Sequence, residues 1–349
     1  MTLPTRATRY GVTRDELATL LKGEPRYRVD QLWEGLYTQL AEPNDISNLP
    51  KALRARLADD LPTALTPAGE SASSNGDTVK FLWTLEGGSK VETVLMLYPD
   101  RATVCVSSQA GCAMGCGFCA TGQAGFTRHL TVGEIVEQVV RAAQRAQQSD
   151  RRISNIVFMG MGEPMANLDA VWQSVERFHG DLGLSARHIT ISTVGVIPGI
   201  RDLQHRPLPV NLAVSLHAAN DGLRNELVPI NKRYPIEDLL DACSDYLTVK
   251  HRRVSFEWAM IDDVNDRDSD ARELAALTRR LSPHGHVNLI PLNPTPGYPT
   301  MGTPIGRVRD FRDLLESLGA NATVRQNRGT EIDAACGQLA AGRPVTVRA

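Results

Sequence analysis

The chain reads as an α/β protein built on a full or partial barrel of the TIM type, preceded by a small all-helical domain. Three observations lead there. Apolar runs at 153–158, 188–192, 210–216, 254–261, 286–290 and 322–325 each have the length and residue types of a buried strand. Helical stretches separate most of them, and repeated strand–helix units imply parallel strands joined by right-handed crossovers. The 349 residues leave room for roughly two domains at about 150 residues each.

Taken in order, Thr13 and Glu16 make a capping box, and Leu17, Leu20 and Leu21 begin an apolar stripe. Val29, Leu32, Trp33, Leu36, Tyr37 and Leu40 form a second stripe, and a third helix is expected over 50–60. Residues 1–61 are therefore expected to be a helical accessory domain. Residues 62–78 are rich in Pro, Ala, Ser and Gly, show no periodicity, and are expected to be a linker. Strand-like runs at 79–85 and 91–98 flank Glu86-Gly87-Gly88-Ser89, which suits a hairpin, and 103–108 is a further candidate strand. Thr131 and Glu134 cap a helix carrying Ile135, Val136, Val139, Val140 and Ala143 on one face. Further helices are expected over 168–179, 236–249, 268–281 and 304–318, the last closed by Gly319. Residues 79–349 thus form the second unit: a hairpin, a barrel core of about 98–340, and a C-terminal extension.

Composition excludes several classes. Apolar residues make up 42%, which is ordinary for a globular protein and rules out disorder. The net charge is −2, and the first sixty residues hold nine basic and nine acidic side chains, so a nucleic-acid contact needs a local basic surface. The first thirty residues lack the order of a signal peptide, and no apolar run approaches the roughly 20 residues of a membrane helix. Six cysteines in this length do not make a disulfide scaffold, and a reducing cytoplasm is the expected compartment.

Three of those cysteines crowd together. Cys112, Cys116 and Cys119 stand at spacings of four and three among small residues, so a loop can fold back around one metal centre. Iron–sulfur clusters are held by Cys thiolates, usually four; three ligands leave one iron open to substrate. The spacing alone leaves open a structural zinc completed by His129 or another residue.

Cys112-x3-Cys116-x2-Cys119, with Phe118 before the last cysteine, resembles the signature of radical S-adenosylmethionine (SAM) enzymes. The segments CVSSQAGCAMGCGFCATGQAGFTRHL (105–130), FMGMGEPMAN (158–167), AVSLHA (213–218), LIPLNPTPG (289–297) and the late Cys336 resemble the RlmN family of dual-specificity RNA adenine carbon-2 methyltransferases. That resemblance covers almost the whole chain and is weakest before Val79. It implies a partial TIM-type (β/α) radical SAM barrel, a 4Fe-4S cluster on Cys112, Cys116 and Cys119, and two SAM molecules per turnover. By motif match, Gly162, Glu163, Ser192, Ser215, Leu216, His217 and Asn293 are expected at the cofactor. All these motifs sit at carboxyl ends of expected strands, the rim where barrel enzymes build their sites.

The resemblance further implies that Cys336 is methylated, carries a methylene radical to carbon 2 of adenine, and is released from the adduct by Cys105, leaving a disulfide. Glu92 matches the family's proton acceptor; it shares a strand face with Val94, Met96 and Tyr98, so its carboxyl is expected to be partly buried with a raised pKa. Read without the resemblance, each has a bland alternative. Cys105 would be a buried small hydrophobe, Glu92 an edge-strand gatekeeper, Gly160-Met161-Gly162 a turn and His217 a core histidine. Cys243 belongs to the stripe Ile236, Leu239, Leu240, Tyr246 and Leu247 and is assigned to the core.

The partners implied are 23S rRNA and tRNA and a reductant protein such as flavodoxin, with no membrane and a monomeric chain. Candidate RNA contacts are Arg325 and Arg328 near Cys336, Lys250-His251-Arg252-Arg253, Arg151-Arg152 and arginines of the helical domain. Two other functions compete: an adenine carbon-8 methyltransferase with the same cluster and both cysteines, and a zinc-stabilised RNA-binding protein without catalysis.

Overall fold

A computed structural model describes residues 7–281, 285–298 and 300–342. Residues 343–349 of the expected C-terminal extension lie outside the described residues. Strands β1 (Leu65–Ala72), β2 (Thr78–Leu85), β3 (Lys90–Leu97) and β4 (Ala102–Cys105) pair antiparallel in sequence order. A separate ribbon, β5 (Gln109–Gly111) with β6 (Phe126–His129), follows. From β4 the main sheet continues in parallel through β7 (Ile153–Phe158), β8 (Ile189–Thr193), β9 (Asn211–Ser215), β10 (Val254–Met260), β11 (Gly285–Pro291) and β12 (Ala322–Val324). In this ten-stranded sheet β1 and β12 are the edges, so the barrel is partial.

The helices are α1 (Arg14–Leu20), α2 (Tyr27–Tyr37) and α3 (Lys51–Asp60) in the N-terminal region and α4 (Ala120–Gln123) in the cysteine loop. Crossovers use α5 (Val132–Gln147), α6 (Leu168–Gly180), α7 (Ile197–His205), α8 (Asp221–Leu227), α9 (Ile236–Lys250), α10 (Asp268–Arg279) and α11 (Ile305–Ser317). Both expected capping boxes form, at Thr13/Glu16 and Thr131/Glu134. Cys243 is fully buried, as its stripe requires.

The expected linker is a correction. Within 62–78, Leu65–Ala72 is a strand paired with β2, irregular only between Pro67 and Gly69. Only Leu65 of it is buried. The strand is held by main-chain bonds at a sheet edge, where proline is tolerated, so it carries no alternation to read. The hairpin is accordingly part of the barrel sheet and not an appendage. β3 lies between β2 and β4, which overturns the edge-strand reading of Glu92.

The N-terminal helices share one hydrophobic core with the barrel. Trp33 of α2 donates its indole N–H to Asp181 at 2.9 Å, and the Arg177 guanidinium stacks 4.5 Å from its ring. Arg9, Glu42, Arg141 and Glu137 form an ion-pair chain across the same boundary. Trp33 is buried. Trp33→Ala is expected to destabilise the protein by about 3–5 kcal/mol in denaturant titration, since a large aromatic is removed from a packed junction.

Candidate active site

The cysteine loop is pinned at its base. β5 and β6 pair across it, and the Cys112 amide donates to the Gly125 carbonyl at 3.0 Å. The loop then doubles back: Cys119 N–H reaches the Cys116 carbonyl at 3.2 Å, and α4 starts directly after Cys119. Gly122 makes this possible, because a Cβ there would stand 2.9 Å from the Cys116 carbonyl oxygen. Phe118 packs edge-on against the His217 ring, centroids 4.7 Å apart.

Cys112, Cys116 and Cys119 line one pocket together with Gly162, Glu163, Ser192, Ser215, His217, Asn293 and Cys336. Residues spread over more than two hundred positions therefore converge: Gly162, Glu163, Ser192, Ser215, His217 and Asn293 follow or end parallel strands, and the cysteine loop and the Cys336 segment join them. Burial pushes the Cys112 thiol up to about 12 and Cys116 well above its usual value. Thiolates in such a site need a resident positive charge, which an iron cluster supplies. Among the described residues no three His, Cys, Asp or Glu side chains are arranged to hold a single metal ion, whereas a four-iron cluster takes its thiolates on separate irons. His129 is turned elsewhere, its Nδ1 3.0 Å from the Gln109 amide nitrogen and its ring against Phe126. The donor set fits a three-thiolate cluster, and the zinc site completed by His129 is corrected.

The rim residues are held by main chain. Glu163 accepts from the Met165 and Val194 amides at 3.0 and 2.9 Å, yet burial pushes its carboxyl up to about 7. Gly162 adopts φ +103°, and a Cβ there would lie 2.5 Å from Gln109 Cβ, so the turn requires glycine. His217 also has positive φ, +59°. Its Nδ1 accepts from the Ala259 amide at 2.9 Å, leaving the proton on Nε2. Burial pushes its pKa down to about 3, so the ring is a neutral donor. Leu216 departs from the expected set: its side chain is buried in the core and does not line the pocket.

Sequence reasoning missed the group under this rim. Arg224, fully buried on α8, donates to the carbonyls of Leu216, Val194 and Ser215 at 3.0, 2.7 and 3.2 Å and to Asn231 at 2.6 Å. Burial pulls its pKa down to about 10, so it stays charged at neutral pH.

Cys336 borders a second cavity that also contains Cys105. Asn293 donates to the Cys336 carbonyl at 3.1 Å, so its side chain holds the Cys336 loop as well as facing the pocket. Cys105 is buried and Cys336 exposed, and both are free thiols. This cavity is lined by Arg101, Arg187, Arg253, Arg325, Arg328 and His188, with no Asp or Glu in its wall. It gathers three of the candidate RNA-binding arginines. Arg252 instead bonds Asn211, and Lys250 the Arg206 carbonyl. Glu92 lies in neither wall. It is buried, takes the amides of Ala340 and Ala341 at 2.9 Å each, and pairs with Lys80 at 3.2 Å.

Two substitutions test this construction. Gly122→Val is expected to displace Cys116 and leave purified, anaerobically reconstituted protein with less than half the wild-type iron and sulfide, whereas Gly180→Ala, where nothing stands within 4 Å, keeps both. Arg224→Met strands three carbonyls and is expected to cost about 3–5 kcal/mol in chemical denaturation.

Comparisons with known proteins agree with this geometry. The Radical SAM superfamily model matches residues 106–275. A protein of Chloroflexus aurantiacus named "Probable dual-specificity RNA methyltransferase RlmN" is 50% identical over 95% of this chain and 92% of its own length. One of the same name from Salinispora tropica is 51% identical over 94% of this chain and 90% of its own. The crystal structure of a radical SAM methyltransferase from Sphaerobacter thermophilus superposes with a TM-score of 0.93 at 50% identity, covering 96% of this chain and 99% of that one. Near-complete coverage in both directions, with the cluster loop and both outlying cysteines in place, shows that the chain belongs to the RlmN family of radical SAM RNA methyltransferases.

Proposed function

We propose that this chain methylates carbon 2 of adenine in 23S rRNA and tRNA through a covalent thioether on Cys336 that Cys105 resolves. One observation carries the reading: Cys336 stands on the boundary between the pocket of the three clustered cysteines and the cavity that holds Cys105. Carbon 2 has no acidic proton and no lone pair, so polar methyl transfer does not reach it. Cys112, Cys116 and Cys119 would hold the cluster, with Gly162, Glu163, Ser192, Ser215, His217 and Asn293 around SAM. Bound there, the cluster and two SAM molecules per turnover would supply a methyl group for Cys336 and the radical that activates it.

The chain's own groups do the rest. Cys336 holds the adduct as a sulfur–carbon bond to the base. The Cys105 thiolate attacks the Cys336 sulfur; a disulfide forms, the sulfur–carbon bond breaks, and its electron pair goes to the former methyl carbon, which takes up a proton. Glu92 is the acceptor for the carbon-2 proton, a role that requires residues 340–341 to release its carboxylate. One electron for the cluster would come from a small redox protein such as flavodoxin; the odd electron that radical addition leaves on the base would return to the cluster as the carbon-2 proton departs, and two further electrons would reopen the disulfide.

The RNA is read by local charge. The arginine-lined cavity suits a sugar–phosphate backbone, and the N-terminal helices would extend the contact. The site is complete within one chain, which supports action as a monomer. No helix among the described residues is long and apolar enough to cross a membrane, and six free thiols suit a reducing cytoplasm.

In an anaerobic assay with SAM, reductant and rRNA or tRNA fragments, mass spectrometry of digested nucleosides is expected to show 2-methyladenosine. 8-Methyladenosine would transfer the chain to the carbon-8 activity. Cys105→Ala is expected to trap RNA covalently on Cys336, and Cys336→Ala to abolish adduct and product together. Methylation surviving Cys336→Ala sinks the thioether route.

A further inference from the structure

The arginine-lined cavity has an inner wall that is polar as well. Thr103 of β4, Asn155 of β7, Thr190 of β8 and Asn211 of β9 all line it, where a closed barrel would pack branched apolar side chains. Asn211 is already engaged: its amide nitrogen donates to the Arg187 carbonyl at 2.7 Å and its oxygen accepts from Arg252 at 2.9 Å. A threonine hydroxyl both donates and accepts, so it does not tell one base edge from another. Asn155 offers a directed donor and acceptor pair, and its surroundings fix the direction.

The register between β4 and β7 slips at this point. Ala102 pairs with Ile153 and Thr103 with Asn155, which leaves Ser154 as an extra, bulged residue between parallel strands, where bulges are rare. The Ser154 hydroxyl donates to the Ala102 carbonyl at 3.2 Å, so its one proton is committed. Its oxygen can then only accept from Asn155, whose Nδ2 stands 3.1 Å away. Turned over, the amide would set Oδ1 against an oxygen with no proton to give. His188 Nδ1 meets the Ser154 carbonyl at 3.1 Å and steadies the bulge from the neighbouring strand. Asn155 Oδ1 is left without a partner among the described residues, and one Nδ2 proton also remains free.

We propose that Asn155 is the specificity-determining residue of this cavity: its Oδ1 accepts from the 6-amino group of the target adenine, and its free Nδ2 proton goes to ring N1. The proposal rests on the carbon-2 reading above. Carbon 2 lies beside N1, and N1 beside the carbon that bears the amino group, so a base offering carbon 2 to Cys336 presents this edge further along the wall. The register supplies the distance. Cys105 pairs with Val157, and Asn155 lies two residues, roughly 7 Å, before Val157 in the same cavity wall. That is the reach of a purine ring and one hydrogen bond. A 6-oxo purine presents the reverse pattern, an oxygen at position 6 and an N–H at N1, and sets its own oxygen against Oδ1. The bulge thus turns an amide that could match either pattern into one that matches adenine.

The test uses the cluster-loaded full chain and short RNAs carrying adenosine, purine riboside or inosine at the methylated position, with carbon-2 methylation quantified by nucleoside mass spectrometry. A paired contact to a base edge is worth about a five- to hundredfold preference. Asn155→Ala is therefore expected to shrink the kcat/KM ratio of adenosine over purine riboside, which lacks the 6-amino group, about fivefold or more relative to wild type. The intrinsic reactivity of each base cancels in that comparison. Ser154→Ala, which frees the amide to turn over, is expected to raise inosine methylation relative to adenosine. Each ratio is taken within one protein preparation, so partial unfolding does not change it. An adenosine preference in Asn155→Ala equal to that of wild type overturns the proposal, and inosine refused as strongly by Ser154→Ala as by wild type overturns the role of the bulge. Wild-type chain that makes no 2-methyladenosine is a separate result, a failure of the carbon-2 reading itself.

Discussion

Everything on the catalytic rim depends on a guanidinium that never sees solvent. Parallel strands end in carbonyls whose partners run out, and β8 and β9 end side by side beneath the pocket. Arg224 takes the carbonyls of Val194, Ser215 and Leu216 with one side chain. A buried charge answered by carbonyl dipoles is costly to assemble and more costly to disturb, so the rim has one arrangement. Glu163 is fixed by the Val194 amide and His217 follows Leu216 directly, so both inherit that arrangement. The positive φ of His217 persists because Asn265 holds its carbonyl at 2.8 Å and Ala259 its ring.

The Cys336 segment is bound to the cluster loop by the same kind of bond. Ala120 N–H donates to the Gly337 carbonyl at 2.8 Å and Thr121 Oγ1 to the Leu339 carbonyl at 2.6 Å, while Asn293 holds the Cys336 carbonyl. Glu92 of β3 then fastens residues 340 and 341. Five hydrogen bonds from three regions of the chain thus hold the segment that carries Cys336, and those to Leu339 and Ala341 are buried.

Much of this was legible in sequence, for a definite reason. Buried parallel strands are continuous apolar runs, and the residues after them carry the chemistry, so 153–158 with Gly162-Glu163, and 210–216 with His217, announce both element and site. The capping box at Thr131/Glu134 appears as read. What escaped is bonded through backbone or through distance. β1 pairs by main chain alone and exposes its side chains, so 62–78 looked like a linker. Leu216 belongs to a matched motif but points into the core, since alternation sends Ser215 and His217 the other way. Arg224 has no local signature at all: it lies on a seven-residue helix, and only the assembled sheet shows what it meets.

The two cavities explain why a thiol, rather than any other group, stands on the partition. On one side lies a mostly buried pocket suited to a radical, where Phe118, Met114 and Ile290 offer no charge. On the other lies a polar cavity walled by arginines, suited to phosphate and to a base in water. A group that serves both must accept a methyl as a nucleophile, stabilise an adjacent carbon radical and later be attacked itself by a second nucleophile, releasing the carbon. Sulfur does all three, whereas an amine or hydroxyl would bind the carbon too firmly to release it. On the proposed reading, Cys336 at the wall and Cys105 in the polar cavity would keep carbon transfer and sulfur exchange on the same sulfur.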